Sequence, residues 1–211
     1  MSFNRIGYGQ VEPNQLSAQK TGQIYASLPL NKDVKVLQNG EFMYYDYATG
    51  MVSADGQGEP MLVFNEIKIY EDRLSYKDFA MIRVGDNYVT NPAAVGRVTS
   101  RNTDTPETIY GDGALTTGVN PNPAHTEYGY RMDGIAPRMF KTNIGDIYTT
   151  NMVATGEDVT YAAGDVLKLV KTDRNTLELS KDGDIETVQF VVAKVYTMPD
   201  GQPAVKLQRI K

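Results

Sequence analysis

Cysteine and tryptophan are absent from the 211 residues, and histidine occurs once, at His125. Without thiols there are no disulfides and no thiolate metal sites, which fits an intracellular origin, although exported proteins also manage without cysteine. A single imidazole cannot build a histidine-based metal site, and no G-x-S-x-G motif accompanies it, so a hydrolase triad has no support. His125 sits in N-P-N-P-A-H-T-E and reads as a loop residue. No run approaches the roughly 18 apolar residues of a spanning helix, and M-S-F-N-R-I-G-Y-G lacks the apolar core of a signal peptide. The expectation is a soluble chain made without a Sec signal and with no membrane partner. Basic clusters are missing as well. The 26 acidic residues outnumber the 21 basic ones, giving a formal charge of −5, whereas tight phosphate-backbone binding draws on a basic face and counterion release. Nucleic acid is therefore not an expected partner. Neither G-x-x-x-x-G-K nor G-x-G-x-x-G after a strand occurs, and no D-x-D-x-D-G run with a distal Glu appears. Asp104, Asp112, Asp182 and Asp184 stand beside glycines or in loops, where they read as turn residues. No cofactor and no metal is expected, and no catalytic residue is assigned.

What the chain does have is 19 Gly, 10 Pro and 14 Tyr, the composition of a turn-rich β protein with tyrosine to spare for interfaces. The stretch from Val34 to Tyr70 is its centre. In E-F-M-Y-Y-D-Y both alternating sets, Phe42, Tyr44, Asp46 and Met43, Tyr45, Tyr47, are mostly aromatic or apolar, so the strand should be covered on both faces. Asn39-Gly40 predicts a hairpin joining V-K-V-L to that strand. Met61 to Tyr70 reads as another strand, and Ser75, with Asp78 three residues later and the Leu74/Phe79 staple, as the start of one short helix.

Three segments follow. Residues 1–33 show no periodicity and contain Leu16, Ile24, Tyr25 and Leu30, more apolar side chains than a solvated tail needs; we expect an extended N-terminal arm that orders on a partner. Residues 34–136 form a sandwich-like β module ending in a long irregular loop over about 91–136, an excursion of the kind that contacts another subunit. Residues 137–211 carry five or so short strands separated by turn signals: Gly164-Asp165, Asp182-Gly183, and Met198-Pro199-Asp200-Gly201, which suits a type I turn. They describe a small antiparallel C-terminal β-barrel. The fold class is mainly β.

Asp46, Asp55, Glu59, Glu66, Glu71 and Asp72 crowd the aromatic region and could supply the carboxylate pair of a glycosidase. An acidic chain produces such neighbours without design, and tryptophan, the usual sugar platform, is missing. Tyr44, Tyr45 and Tyr47 are the better candidates for function, as aromatics that pack on a neighbour.

Four quoted stretches carry a resemblance: G-Q-x-x-x-N-Q-L-S-A-Q-K-T-G-Q-I-Y-A from Gly9, L-Q-N-G-E-F-M-Y-Y-D-Y from Leu37, G-E-P-M-L-V-F-N-E from Gly58 and N-I-G-D-I-Y-T-T-N from Asn143. In order and texture they resemble the auxiliary head proteins of tailed bacteriophages, known as capsid decoration or cement proteins. A-A-G-D-V-L-K-L-V near the C-terminus is similar to the small barrels of phage head decoration proteins. The resemblance implies a non-enzymatic virion protein, assembled in the host cytoplasm, that binds the major capsid protein on the shell surface and clamps neighbouring subunits, with self-association, as a trimer for example, a further expectation. The candidate contacts are Leu16, Ile24, Tyr25, Tyr44, Tyr45 and Tyr47. Two alternatives stand beside it: a tail, baseplate or head-fibre module that binds a host surface glycan, and a carbohydrate-active enzyme.

Overall fold

Glycine, proline and asparagine turns break the chain into short strands, and antiparallel pairing among those strands makes the fold. The computed structural model describes residues 3, 5, 9–31, 33–34, 36–65, 81–83, 136–199 and 201–211. The loop of about 91–136, the helix expected after Ser75, residues 66–70 of the expected second strand, His125, Glu66, Glu71, Asp72, Asp104 and Asp112 lie outside the described residues.

In chain order the elements are β1 (Val11–Gln15), α1 (Ser17–Thr21), β2 (Ile24–Tyr25), β3 (Val36–Gln38), β4 (Phe42–Asp46), β5 (Met51–Ser53), β6 (Met61–Val63), β7 (Met81–Arg83), β8 (Met139–Phe140), β9 (Ile147–Thr150), β10 (Val166–Lys171), β11 (Leu177–Ser180), β12 (Ile185–Thr197) and β13 (Pro203–Arg209). The chain is mainly β, as its composition implied. Eleven strands share one sheet in the order β1-β9-β13-β12-β10-β11-β4-β6-β8-β2, with β5 added beside β4, and β3 pairs with β7 separately.

The C-terminal strands follow their turn chemistry. Gly164 takes φ +94° as Ala162 N–H donates to the Asp165 carboxylate at 2.7 Å, and β10 begins. Gly183 lies so close to β10 that a Cβ there would sit 2.6 Å from the Lys168 carbonyl oxygen. At the tip of the β12–β13 hairpin Gly201 N–H donates to the Met198 carbonyl at 2.9 Å, as Pro199 and Gly201 predicted. Alternation then sorts the side chains: Leu167 and Leu169, Leu177 and Leu179, Val188, Phe190 and Val192, and Val205 and Leu207 are buried. Phe190 meets Phe42 and Tyr148, each at 5.6 Å between ring centroids. Full burial of side chains of this size contributes about 1.5–3 kcal/mol apiece.

Three expectations are corrected. The Asn39-Gly40 turn forms, with Gly40 at φ +95°, yet it does not join a hairpin: β3 pairs with β7, and β4 runs between β11 and β6. Asn39 is claimed elsewhere, its Oδ1 accepting from Asn65 N–H at 2.7 Å and its Nδ2 donating to the Asn65 carbonyl at 3.1 Å, while Gly40 N–H donates to Val63 O at 2.9 Å. The turn therefore hands the chain to β6 rather than folding it back.

The second correction is the arm. Residues 11–15 pair with β9 and residues 24–25 with β8, and Phe3, Leu16 and Leu30 are buried in the core. Their apolar side chains are covered by this chain itself. Pro13 is accommodated because β1 lies at one end of the strand order, where a missing donor is tolerated.

The third is the division into a sandwich-like module and a separate barrel. One sheet contains strands from residues 11 to 209, and it is continuous through β11–β4, where Leu177 pairs with Phe42. The strands at the two ends of that order, β1 and β2, are consecutive in sequence, and so are their partners β9 and β8. α1 and the 141–146 connection bring the ends together. Asp146 is the fastening: its Oδ1 accepts from Ser17 N–H at 3.1 Å, and its Oδ2 from the Ser17 hydroxyl at 2.9 Å and from Asn143 N–H at 2.8 Å. It supplies the N-terminal cap that Leu16 cannot. Arg209 adds to the seam, donating through Nη1 to Glu59 and to the Thr142 carbonyl, while its backbone N–H donates to Asp146 O at 2.9 Å.

Candidate interaction surface

β4 carries the tyrosines, and its pairing decides which of them reach the surface. Phe42 pairs with β11 and β6 on its two edges, Met43 pairs with β6, and Tyr44 to Asp46 pair with β5. Successive side chains point to opposite faces. Tyr44 lies under the 54–58 segment: a Cβ on Gly56 would come within 2.3 Å of Tyr44 Cβ, so bare backbone rests on this side chain. Burial raises the Tyr44 hydroxyl's pKa, opposed by a hydrogen bond with Thr187. Tyr45 faces the other way. Its hydroxyl accepts from Ser27 N–H at 2.9 Å, and its ring meets Tyr25 edge-on at 5.4 Å and 83°. Neither face of β4 is left for a partner to cover.

Tyr47, two residues beyond Tyr45, packs edge-on against it at 5.9 Å and 84° and is 76% exposed. Rings from β2, β4 and the β4–β5 turn thus form a ladder that rises from the core to solvent. The turn beneath Tyr47 is fixed by Asp46, whose carboxylate accepts from Ala48 N–H at 2.9 Å and from the Thr49 hydroxyl at 2.7 Å, while its carbonyl accepts from Gly50 N–H at 2.9 Å. The Thr49 and Ala48 bonds hold the Asp46 carboxyl below its ordinary range. A tyrosine held this way offers a π face and a hydroxyl at small entropic cost, since its neighbours already restrict it.

Of the six predicted contact residues, the structure leaves three at the surface. Tyr47 is exposed, and Ile24 and Tyr25 are half-buried on β2, opposite Phe140 and Met139. Leu16, Tyr44 and Tyr45 are buried by their own chain, at 2%, 6% and 7% exposure. Their positions in a two-faced aromatic run and an apolar-dotted arm identified them as important without saying what covers them.

The described carboxylates of the aromatic region, Asp46, Asp55 and Glu59, each have another occupation. Asp46 organises its turn, Asp55 pairs with Lys171 at 2.6 Å, and Glu59 binds Arg209 and lies 3.8 Å from Lys141. The acid that sequence reasoning passed over is Glu41, fully buried at the head of β4. It accepts from Gln38 N–H at 2.7 Å, Arg174 Nη2 at 2.8 Å and the Thr176 hydroxyl at 2.9 Å, and burial pushes its carboxyl up despite these partners. Glu41 and Thr176 flank the Phe42–Leu177 pairing, which makes this a clamp on the narrow β4–β11 junction. Only its place two residues after Asn39, next to Phe42, could have hinted at that. Compared with known proteins, the chain matches no family profile, no curated protein and no solved structure.

Proposed function

We propose that the chain is a virion structural protein that binds the outer surface of a phage capsid and stabilises contacts between neighbouring major capsid subunits. The observation that carries this reading is the tyrosine ladder, braced from the core through Tyr45 and the half-buried Tyr25 and emerging at Tyr47. Rigid aromatic anchors of this kind dominate protein interfaces. The resemblance of the quoted stretches to phage auxiliary head proteins supports the same reading, and a net charge of −5 suits the outside of a shell better than its DNA-filled interior. On a symmetric shell a modest contact is repeated many times, and copies linked to one another gain avidity. The contact set is narrower than the sequence suggested: Tyr47 and the open parts of Tyr25 and Ile24 remain for a partner, whereas Leu16, Tyr44 and Tyr45 hold the fold.

Co-sedimentation with purified shells at micromolar protein tests it. The wild type should pellet with shells, and Tyr47→Ala should remain in the supernatant while melting as the wild type does. Wild-type protein that stays in the supernatant would sink the reading. The same exposed ring also suits stacking on a sugar, which favours a tail, baseplate or head-fibre module binding a host surface glycan as the second reading. Binding to host envelope polysaccharide that Tyr47→Ala abolishes, without shell binding, would select it.

A further inference from the structure

Away from the tyrosine ladder, strand register assembles a second surface. Three rows of side chains cross the outward face of β1-β9-β13-β12-β10. The middle row runs through Val166, Val191, Gln208, Ile147 and Gln15, one residue from each of five strands. All five are half-buried or exposed, and Val166 keeps 41% of its surface, while the neighbours Leu167, Phe190, Leu207 and Tyr148 point into the core. This is therefore the solvent side of the pleat. To one side lie Lys194, Lys206 and Glu12, on β12, β13 and β1, with the fully buried Thr149 of β9 between the last two. To the other lie Lys168 and Gln189, with Ile210 beside Gln189 through a backbone bond of 2.9 Å.

Lys194 and Lys206 stand directly opposite one another, an arrangement that destabilises an antiparallel pair. Of the carboxylates nearby, Glu186 is paired with Lys168 at 2.5 Å, while Glu12 accepts from the neutral Tyr196 hydroxyl at 2.6 Å and keeps its charge at the β1 end of the row. Among the described residues neither Lys194 nor Lys206 has an ion-pair partner. Two facing lysines with no ion pair to a described acid, beside a row that holds Val166, Val191 and Ile147, give this face a cationic edge on an apolar centre.

We propose that this face docks an acidic protein surface, whose carboxylates meet Lys194 and Lys206 and whose apolar side chains cover Val166, Val191 and Ile147. Charge complementarity selects that occupant. A second copy laid face to face sets Lys194 and Lys206 either onto their own counterparts or onto the Lys168–Glu186 pair, whose carboxylate is already engaged. Nucleic acid is opposed by the apolar and glutamine centre and by the overall negative charge. The inference goes beyond the shell-binding reading, since any acidic protein surface satisfies it, and the two fail separately.

The test is a titration of the isotopically labelled full chain with a synthetic peptide of alternating glutamate and valine, followed by amide chemical shifts. Shifts should concentrate at Val166, Val191, Lys194, Lys206 and Gln208, and Lys194→Glu with Lys206→Glu should weaken binding about tenfold, as expected for two reversed surface charges. Lys194→Ala with Lys206→Ala should bind with intermediate affinity and melt no lower than the wild type, which separates a lost docking face from a lost fold. No binding, shifts elsewhere, or a double charge reversal that binds as tightly as the wild type overturns the proposal. A DNA duplex that produces the same shifts more tightly than the peptide, or a dimer in sedimentation equilibrium that the double reversal abolishes, overturns it in favour of the other occupants.

Discussion

Asp146 shows how much of this fold one side chain can carry. It is 5% exposed and accepts three hydrogen bonds, two from Ser17 at the start of α1 and one from the Asn143 amide, while its backbone oxygen receives Arg209 N–H. Bonds to a charged acceptor are worth more than neutral ones, and removing the acceptor strands buried donors. Asp146→Ala should therefore cost about 3 kcal/mol in urea unfolding, with Asp146→Asn, which keeps an acceptor oxygen, losing less. A loss within experimental error for the alanine variant would show that water replaces the carboxylate and that the seam is held elsewhere. Nothing in N-I-G-D-I-Y says that the carboxylate caps a helix at residue 17.

At the scale of elements, what was legible is what is local. β10 to β13 could be read because Gly164-Asp165, Asp182-Gly183 and Pro199 with Gly201 each set a turn from their own chemistry, and because Leu177-Glu178-Leu179 alternates as a half-buried strand should. Asn39-Gly40 misled for the same reason: its hairpin signal is local, but Asn65 and Val63 compete for its hydrogen bonds. α1 has five residues, too few to show a helical period, and β1, V-E-P-N-Q, has no alternation at all. Glu41 at the β4–β11 junction belongs to this scale, and it makes a pH-dependent prediction. Burial raises its carboxyl above the ordinary value of 4.5, opposed by Arg174 and by hydrogen bonds from Gln38 and Thr176. A carboxyl raised on folding binds its proton more tightly in the folded chain, so the stability it contributes is present in full below the unfolded value and is lost as pH rises through the folded one. Glu41→Gln, which cannot ionise, should accordingly gain on the wild type as pH rises from about 4.5, the difference levelling above the folded value. Urea midpoints of both proteins across that range provide the measurement. A difference that instead grows on acidification means that the Arg174 pairing outweighs burial.

For the whole molecule the decisive question is whether the first 30 residues are an appendage. A chain whose arm merely awaits a partner keeps its circular dichroism and its melting when the arm is deleted. The strand order says otherwise, for β1 and β2 occupy the two ends of the sheet, α1 between them is fastened to Asp146, and Phe3, Leu16 and Leu30 are buried in the core. Three such side chains together contribute about 5–9 kcal/mol of burial, against a total stability of about 5–15 kcal/mol for an ordinary domain. Deleting residues 1–30 should therefore abolish cooperative unfolding, not only partner binding. Leu16→Ala alone, about 2–5 kcal/mol, should lower the melting temperature while leaving a folded protein. A synthetic peptide of residues 1–30, added to the truncated chain, should restore amide dispersion if the deleted strands re-pair with β9 and β8. Should the truncated chain melt cooperatively near the wild-type temperature, residues 1–30 are an arm after all, and the buried surface of Leu16 and Leu30 contributes far less than its area implies.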